Sequence, residues 1–202
     1  MTQAPKLTPK RATYADLETT PEHMVAELIN GEIHLSPRPA PKHASAASVL
    51  GSDVNGRFHG PPKPPDGGGW WILFEPELHL SGDAYVPDIA GWRRERLPRL
   101  PETAWFSLAP DWVCEVLSPS TTRRDRMLKL PAYAHEGVAW AWLVDPVSRH
   151  VEVYRLADRG PQGGGAALWV LEGTWGEGHE QASAARIPPF ESLPIDLARW
   201  WD

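Results

Sequence analysis

Apolar and polar residues alternate through Val25-Ala26-Glu27-Leu28-Ile29 and again through Glu32-Ile33-His34-Leu35, with Asn30-Gly31 between the two runs. A period of two predicts strands, and Asn-Gly tolerates the positive φ angles of a tight turn, so this stretch predicts a β-hairpin. From Pro41 the period becomes helical, with Ala46, Val49, Leu50, Val54 and Phe58 recurring on one side until His59-Gly60-Pro61 stops it. A proline- and glycine-rich loop follows through Gly69. Strands are predicted over Trp70–Phe74, Glu77–Leu80 and Val86–Trp92, then a basic excursion over 93–110. Residues 112–117 are apolar apart from Glu115, the pattern of a strand covered on both faces. Ser118-Pro119-Ser120-Thr121 breaks that strand and offers caps to a helix predicted over Thr122–His135, with Gly137 beyond its end. Trp140–Val144, Val151–Leu156 and Leu168–Leu171 complete the strands, and a glycine-rich loop at 160–165 precedes the last of them. Hairpin, helix, strands, helix, strands predicts an α/β chain of the α+β kind: a mixed β-sheet with helices packed on it.

Composition narrows this picture. A chain of 202 residues suits one domain, expected over 13–202 after a loose tail at 1–12. The formal net charge of −6 denies the chain a general attraction to phosphate, so nucleic-acid binding would need a local patch. Cys114 is the only cysteine; no internal disulfide can form, and its apolar neighbours suggest a core thiol. Lys6, Lys10 and Arg11 are not followed by an apolar stretch, and no run is long enough to span a bilayer, so the expected compartment is cytoplasmic.

Two acids stand out. By alternation Glu115 shares a face with Val113 and Leu117, where an ionised carboxylate is costly unless a cation or hydrogen-bond donors meet it. A core glutamate paired with an arginine would also account for it. Asp88 repeats the arrangement in Val86-Pro87-Asp88-Ile89-Ala90, one acid in an apolar strand. Acids on neighbouring strands can converge on one divalent cation, since magnesium is satisfied by one or two carboxylates completed with water and phosphate oxygens. Asp125, Lys129 and Tyr133 follow at i, i+4, i+8 on the next helix. Asp125 and Tyr133 read best as part of a solvated face, whereas the long Lys129 stem could carry its ammonium toward Glu115. Glu27 and Glu75 are possible additional acids, Glu27 also fitting an exposed hairpin position. His43 is a possible substrate contact or a solvated helix terminus. No zinc spacing and no phosphate-binding glycine loop occurs, so no organic cofactor is expected.

Val86-Pro87-Asp88, Glu115-Val-Leu-Ser-Pro-Ser-Thr121, Asp125-x-x-x-Lys129-x-x-x-Tyr133-x-x-x-Gly137-Val138 and Trp142-Leu-Val-Asp145-Pro146 together resemble the Uma family of restriction-endonuclease-like proteins. Glu27-Leu-Ile-Asn-Gly-Glu32 and His43 fall where that family has its first hairpin and helix, and the likeness spans roughly residues 13–197. The resemblance implies a PD-(D/E)XK nuclease-like fold, a restriction-endonuclease-like core with an N-terminal β-hairpin. That superfamily's acid-x-lysine step would place a lysine at 117, where this chain has Leu117. The resemblance implies that the lysine has moved to the following helix, as Lys129.

The expected activity is metal-dependent hydrolysis of phosphodiester bonds in DNA, with Asp88 and Glu115 holding Mg2+ or Mn2+ and Lys129 orienting water or offsetting charge. Arg93, Arg94, Arg96 and Arg99 would grip backbone phosphates. An inactive nuclease fold that binds nucleic acid or a protein is the alternative. A glycosidase would use the 11 tryptophans to stack on sugars, but Trp70, Trp140, Trp142 and Trp169 fall in strand patterns that core packing explains. The apolar tail around Phe190, Leu193, Ile195, Leu197, Trp200 and Trp201 suggests surface to bury in a homodimer.

Overall fold

The computed structural model describes residues 11–37, 39–157, 167–178 and 182–201. Residues 1–10 of the expected tail and the glycine-rich stretch 160–165 lie outside the described residues. Ala12 donates its N–H to the Gly31 carbonyl at 2.8 Å, so the segment before the first helix is tied to the hairpin. A short helix α1 (Tyr14–Leu17) precedes β1 (Val25–Ile29) and β2 (Glu32–Ser36), which pair antiparallel. Asn30 and Gly31 take φ angles of 55° and 76° at the turn, as the Asn-Gly signal requires.

Helix α2 occupies Pro41–Phe58, with its proline at the first turn, where a missing N–H leaves no hydrogen bond unmade. Strands β3 (Trp70–Phe74) and β4 (Leu78–Leu80) follow. The strand expected over Val86–Trp92 begins only at Ile89, and a short strand not expected from the sequence precedes it. Strand β5 (Asp83–Tyr85) pairs with β1 and β4, whereas β6 (Ile89–Arg93) pairs with β3 and β7. Val86-Pro87-Asp88 is the crossing between two sheets, and Pro87, which has no N–H to give a ladder, suits that break.

Strand β7 (Trp112–Val116) enters helix α3, built without interruption from α-helical Thr122–Arg124, a π-helical turn Asp125–Lys129 and α-helical Leu130–His135. Strands β8 (Trp140–Asp145), β9 (His150–Leu156) and β10 (Trp169–Gly176) complete the chain of strands, β10 running five residues further than its apolar pattern indicated. One sheet has the order β2-β1-β5-β4; the other, mixed sheet has the order β10-β9-β8-β7-β6-β3. Its parallel pair is β7–β8, joined through α3.

Alternation along β7 divides its side chains between two cores. Trp112, Cys114 and Val116 face α2 and the C-terminal segment, while Val113 lies in the core under α3. The thiol of Cys114 is fully buried, and burial raises its pKa well above the ordinary range. Phe190, Ile195, Leu197 and Trp200 are buried in the first of these cores, so the tail covers its own sheet and α2. Asp53 of α2 fastens it, accepting from Arg199 at 2.8 Å and from the Trp200 indole at 3.1 Å. Those residues therefore supply no surface for a second subunit. Among the described residues no helix is long and apolar enough to cross a membrane.

Candidate active site

The crossing between the sheets brings Asp88 to Glu115. Register pairs Ile89 with Cys114, and one step back the Asp88 carboxylate accepts the Val116 N–H at 2.7 Å. Asp88 thus stands at the threshold of β6 rather than inside a strand, because the chain is still changing sheets there. Glu115, on the last turn of pleat before β7 ends, is 3% exposed. Both line a cavity of about 310 Å³ at the carboxyl end of β7, the position where open α/β sheets present their loops to ligands.

Glu115 is met by donors from α3. Lys129 Nζ lies 2.8 Å from Glu115 Oε1, and the Tyr133 hydroxyl donates to the same oxygen at 2.7 Å. Lys129 also reaches Glu27 Oε1 at 3.0 Å and the Val86 carbonyl at 3.0 Å. An ammonium has three donors, and here three acceptors surround it. The Leu130 N–H bonds to the Asp125 carbonyl five residues back, which widens the turn just before Pro131. Four residues overshoot one α-helical turn but fall short of a π turn. The two errors offset each other, so Asp125, Lys129 and Tyr133 all face inward. Asp125 and Tyr133 are accordingly 2% and 1% exposed, not parts of a solvated face.

Glu27 is likewise buried instead of exposed on the hairpin: its carboxylate accepts the Val86 N–H at 2.9 Å and faces Arg124 Nε at 3.4 Å. Glu75 remains exposed at the cavity wall, with its N–H on the Asp88 carbonyl at 3.0 Å and a left-handed φ of 45°. His43 is no solvated terminus. It is 9% exposed, its Nε2 lies 3.5 Å from Asp88 Oδ2, and its Nδ1 is buried without a protein partner.

Arginines 93, 94 and 96 do not line the cavity. Arg93 lies over Trp70, Arg94 over Trp71, and Arg96 pairs with Asp111 at 3.0 Å; Arg99 is exposed within the excursion. The cavity's guanidinium is Arg124, which donates to Ser36 Oγ through Nη1 and has no hydrogen bond from Nη2 among the described residues. Nothing in the sequence singled Arg124 out, since its partners come from the hairpin, far away in the chain. The burial of Asp125 and Tyr133 was signalled only by their helical spacing from Lys129.

Carboxylates dominate the cavity's charge. Burial raises the Glu115 pKa to about 8; Lys129 opposes that rise, and Asp125, Asp88 and Glu27 add to it. Burial would strip the proton from Lys129, but the carboxylates of Glu115, Glu27, Asp125 and Asp88 outweigh it and hold the ammonium charged. Burial also raises Asp125 against the pull of Lys129. At His43 burial opposes the charge, yet Asp88 outweighs it and the pKa rises.

Among the described residues no group of three or more His, Cys, Asp or Glu side chains is arranged to hold a metal ion. Asp88 and Glu115 offer a smaller set. Asp88 Oδ1 and Glu115 Oε2 have no hydrogen-bond partner among the described residues, and both side chains line the cavity. Two hard oxygen donors fit magnesium or manganese when water and substrate oxygens supply the other positions.

A family model described as "Putative restriction endonuclease", Uma2, matches residues 11–175. No curated protein matches the chain. The chain is similar in structure to a protein from Anabaena variabilis described as "a putative nuclease belonging to DUF820", with a TM-score of 0.66 and 26% identity over 94% of this chain and 97% of that one. With the family match running from the hairpin through β10, the chain belongs to the Uma2 family.

Proposed function

We propose that the protein is a divalent-metal-dependent nuclease that hydrolyses phosphodiester bonds in DNA, with Asp88 and Glu115 as the metal ligands. A nuclease is what the family and the structural likeness support. The observation that carries the finer reading is the pair of carboxylates that line one cavity, each with one oxygen not hydrogen-bonded among the described residues, beside further acids that favour a cation. Magnesium or manganese bound there would acidify water and offset charge on phosphorus.

The protein's own groups have separable tasks. The Val116 N–H fixes one Asp88 oxygen, and Lys129 and Tyr133 fix one Glu115 oxygen, leaving the other of each pair for the cation. With its three donors occupied, Lys129 acts as a positioning residue that keeps Glu115 ionisable; it does not touch the substrate itself. Arg124, which lines the cavity and whose Nη2 makes no hydrogen bond among the described residues, is the group to meet a phosphate oxygen. His43, beside Asp88 at the cavity wall, is a further substrate contact. Cleavage of DNA by the wild type in magnesium or manganese, lost in Glu115→Gln, tests the assignment. Manganese-independent DNA binding without cleavage would mark the inactive module instead.

A further inference from the structure

Phe74 is the only aromatic residue among the exposed large hydrophobic side chains described, with half of its surface open to solvent. It stands next to the cavity. Phe74 pairs with Ile89 at the end of β3, and the following residue, Glu75, lines the cavity and donates its N–H to the Asp88 carbonyl at 3.0 Å. A non-glycine residue at φ 45° is strained, so the chain is held in a fixed course immediately after the ring.

The ring has a seat of its own. Gly51 lies inside α2, and any side chain there would collide with Cε1 and Cζ of Phe74. Glycine weakens a helix interior, and here its absent side chain leaves room for a ring that remains half exposed. His43, Ala47 and Gly51 are spaced i, i+4, i+8 along α2, which puts the Phe74 seat about 12 Å from the His43 position along the helix axis. A nucleotide flanking the phosphate at Asp88, or the next one along, can span that separation.

We infer that Phe74 is a stacking platform for an unpaired nucleobase, and that the substrate is single-stranded or locally opened nucleic acid. The inference rests on the nuclease reading for the identity of the ligand. In a duplex the base faces are covered by their neighbours, so an exposed ring gains a partner only where a strand is single or a base is turned out. Stacking also suits this chain's charge. With a formal net charge of −6 and one guanidinium in the cavity, phosphate contacts alone give a weak grip.

The test is equilibrium binding of a short single-stranded DNA carrying one 2-aminopurine, in calcium to hold the strand uncut, with the matching duplex alongside. Phe74→Leu keeps an apolar side chain on Gly51 but has no ring face; Phe74→Tyr keeps the ring. Thermal melts confirm that both fold. The expected result is that Phe74→Leu loses roughly tenfold in single-strand affinity together with the stacking quench, that Phe74→Tyr retains both, and that duplex affinity is unchanged. The salt dependence of single-strand binding should be shallow. Equal single-strand affinity and quench in wild type and Phe74→Leu would overturn the platform, as would failure of the wild type to bind the strand. Cleavage is scored separately with Glu115→Gln. A wild type that cuts DNA while its binding ignores Phe74 refutes the platform alone; ring-dependent binding without cutting refutes the nuclease reading and leaves the platform standing.

Discussion

The ammonium of Lys129 and the carboxylate of Glu115 meet at 2.8 Å inside the protein, although one side chain comes from a helix and the other from a strand. On the proposed reading Lys129 would stand in for the lysine absent at Leu117, but with a different consequence. A lysine committed to Glu115, Glu27 and a carbonyl governs how readily Glu115 ionises. Lys129→Ala leaves Glu115 without its cation and Glu27 with Arg124 alone, and should destabilise the fold by about 3–5 kcal/mol. Manganese binding in that variant should weaken at neutral pH and recover as pH is raised, because Glu115 then ionises only at higher pH. Calorimetric titration between pH 6 and 10 checks it: an affinity equal to wild type at every pH would show that Lys129 does not act through Glu115.

Glu115 makes the metal-free protein sensitive to alkaline pH. Its folded pKa, pushed up to about 8 by burial, stands above the ordinary carboxylate value, so folding favours the protonated form. The stability this contributes is present below the ordinary value and is lost as pH rises through about 8. The melting temperature of metal-free protein should therefore fall from pH 5 to pH 8 and beyond. Glu115→Gln should flatten that slope without abolishing it, since Asp125 is shifted in the same direction. A wild-type slope unchanged in Glu115→Gln would assign the effect to other groups.

On the proposed reading, the same carboxyl would set the pH dependence of metal binding. A cation must displace the Glu115 proton, so affinity should fall by roughly tenfold for each unit of pH below about 8. Manganese titrations from pH 6 to 9 measure it directly; affinity independent of pH would remove Glu115 from the ligand set.

Much of this was legible in the sequence, for identifiable reasons. The Asn30-Gly31 hairpin, α2 and β7 carry undiluted local signals, and the structure has each of them. The start of β6 at Ile89, after a change of sheet from β5, was hidden because Val86-Pro87-Asp88 continues the apolar pattern; only the ladder-breaking Pro87 hinted at it. Polar side chains misled in the opposite sense. Asp125, Tyr133, Glu27 and His43 resemble solvent-facing residues until the partners that compensate their burial are known. The π turn that aligns Asp125 with Lys129 has no periodic signature at all. The basic excursion looked like a phosphate grip, yet Arg93 and Arg94 lie on tryptophans of β3.

Tyr133→Phe removes one of the two donors on Glu115 Oε1 while preserving the packing of the ring. The loss should be about 1–3 kcal/mol of stability above pH 8, where Glu115 is ionised, the range for a hydrogen bond to a charged group, and smaller at lower pH, where Glu115 keeps its proton. Denaturant unfolding at both pH values checks it, and a loss well under 1 kcal/mol above pH 8 would mean that Tyr133 does not support the Glu115 carboxylate.

Arg124 and Arg94 separate the two locations proposed for phosphate contact. Arg124→Ala should weaken DNA binding and flatten its salt dependence by about one counterion. Arg94→Ala should change neither, and should lower stability by about 1 kcal/mol or less through its lost contact with Trp71. The reverse pattern would return the phosphate contacts to the 93–99 segment.

Cleavage itself tests the central claim most directly. Wild type and Glu115→Gln are incubated with end-labelled single-stranded and duplex DNA in magnesium, in manganese and in chelator, and the products are resolved on a denaturing gel. Glutamine keeps the shape of the side chain and an oxygen for Tyr133, but it cannot supply the second anionic ligand. The Asp88–Glu115 account predicts metal-dependent cutting by wild type, none in chelator, and at least a hundredfold loss in Glu115→Gln, on the order of one lost transition-state contact. Cutting by Glu115→Gln at the wild-type rate would contradict it.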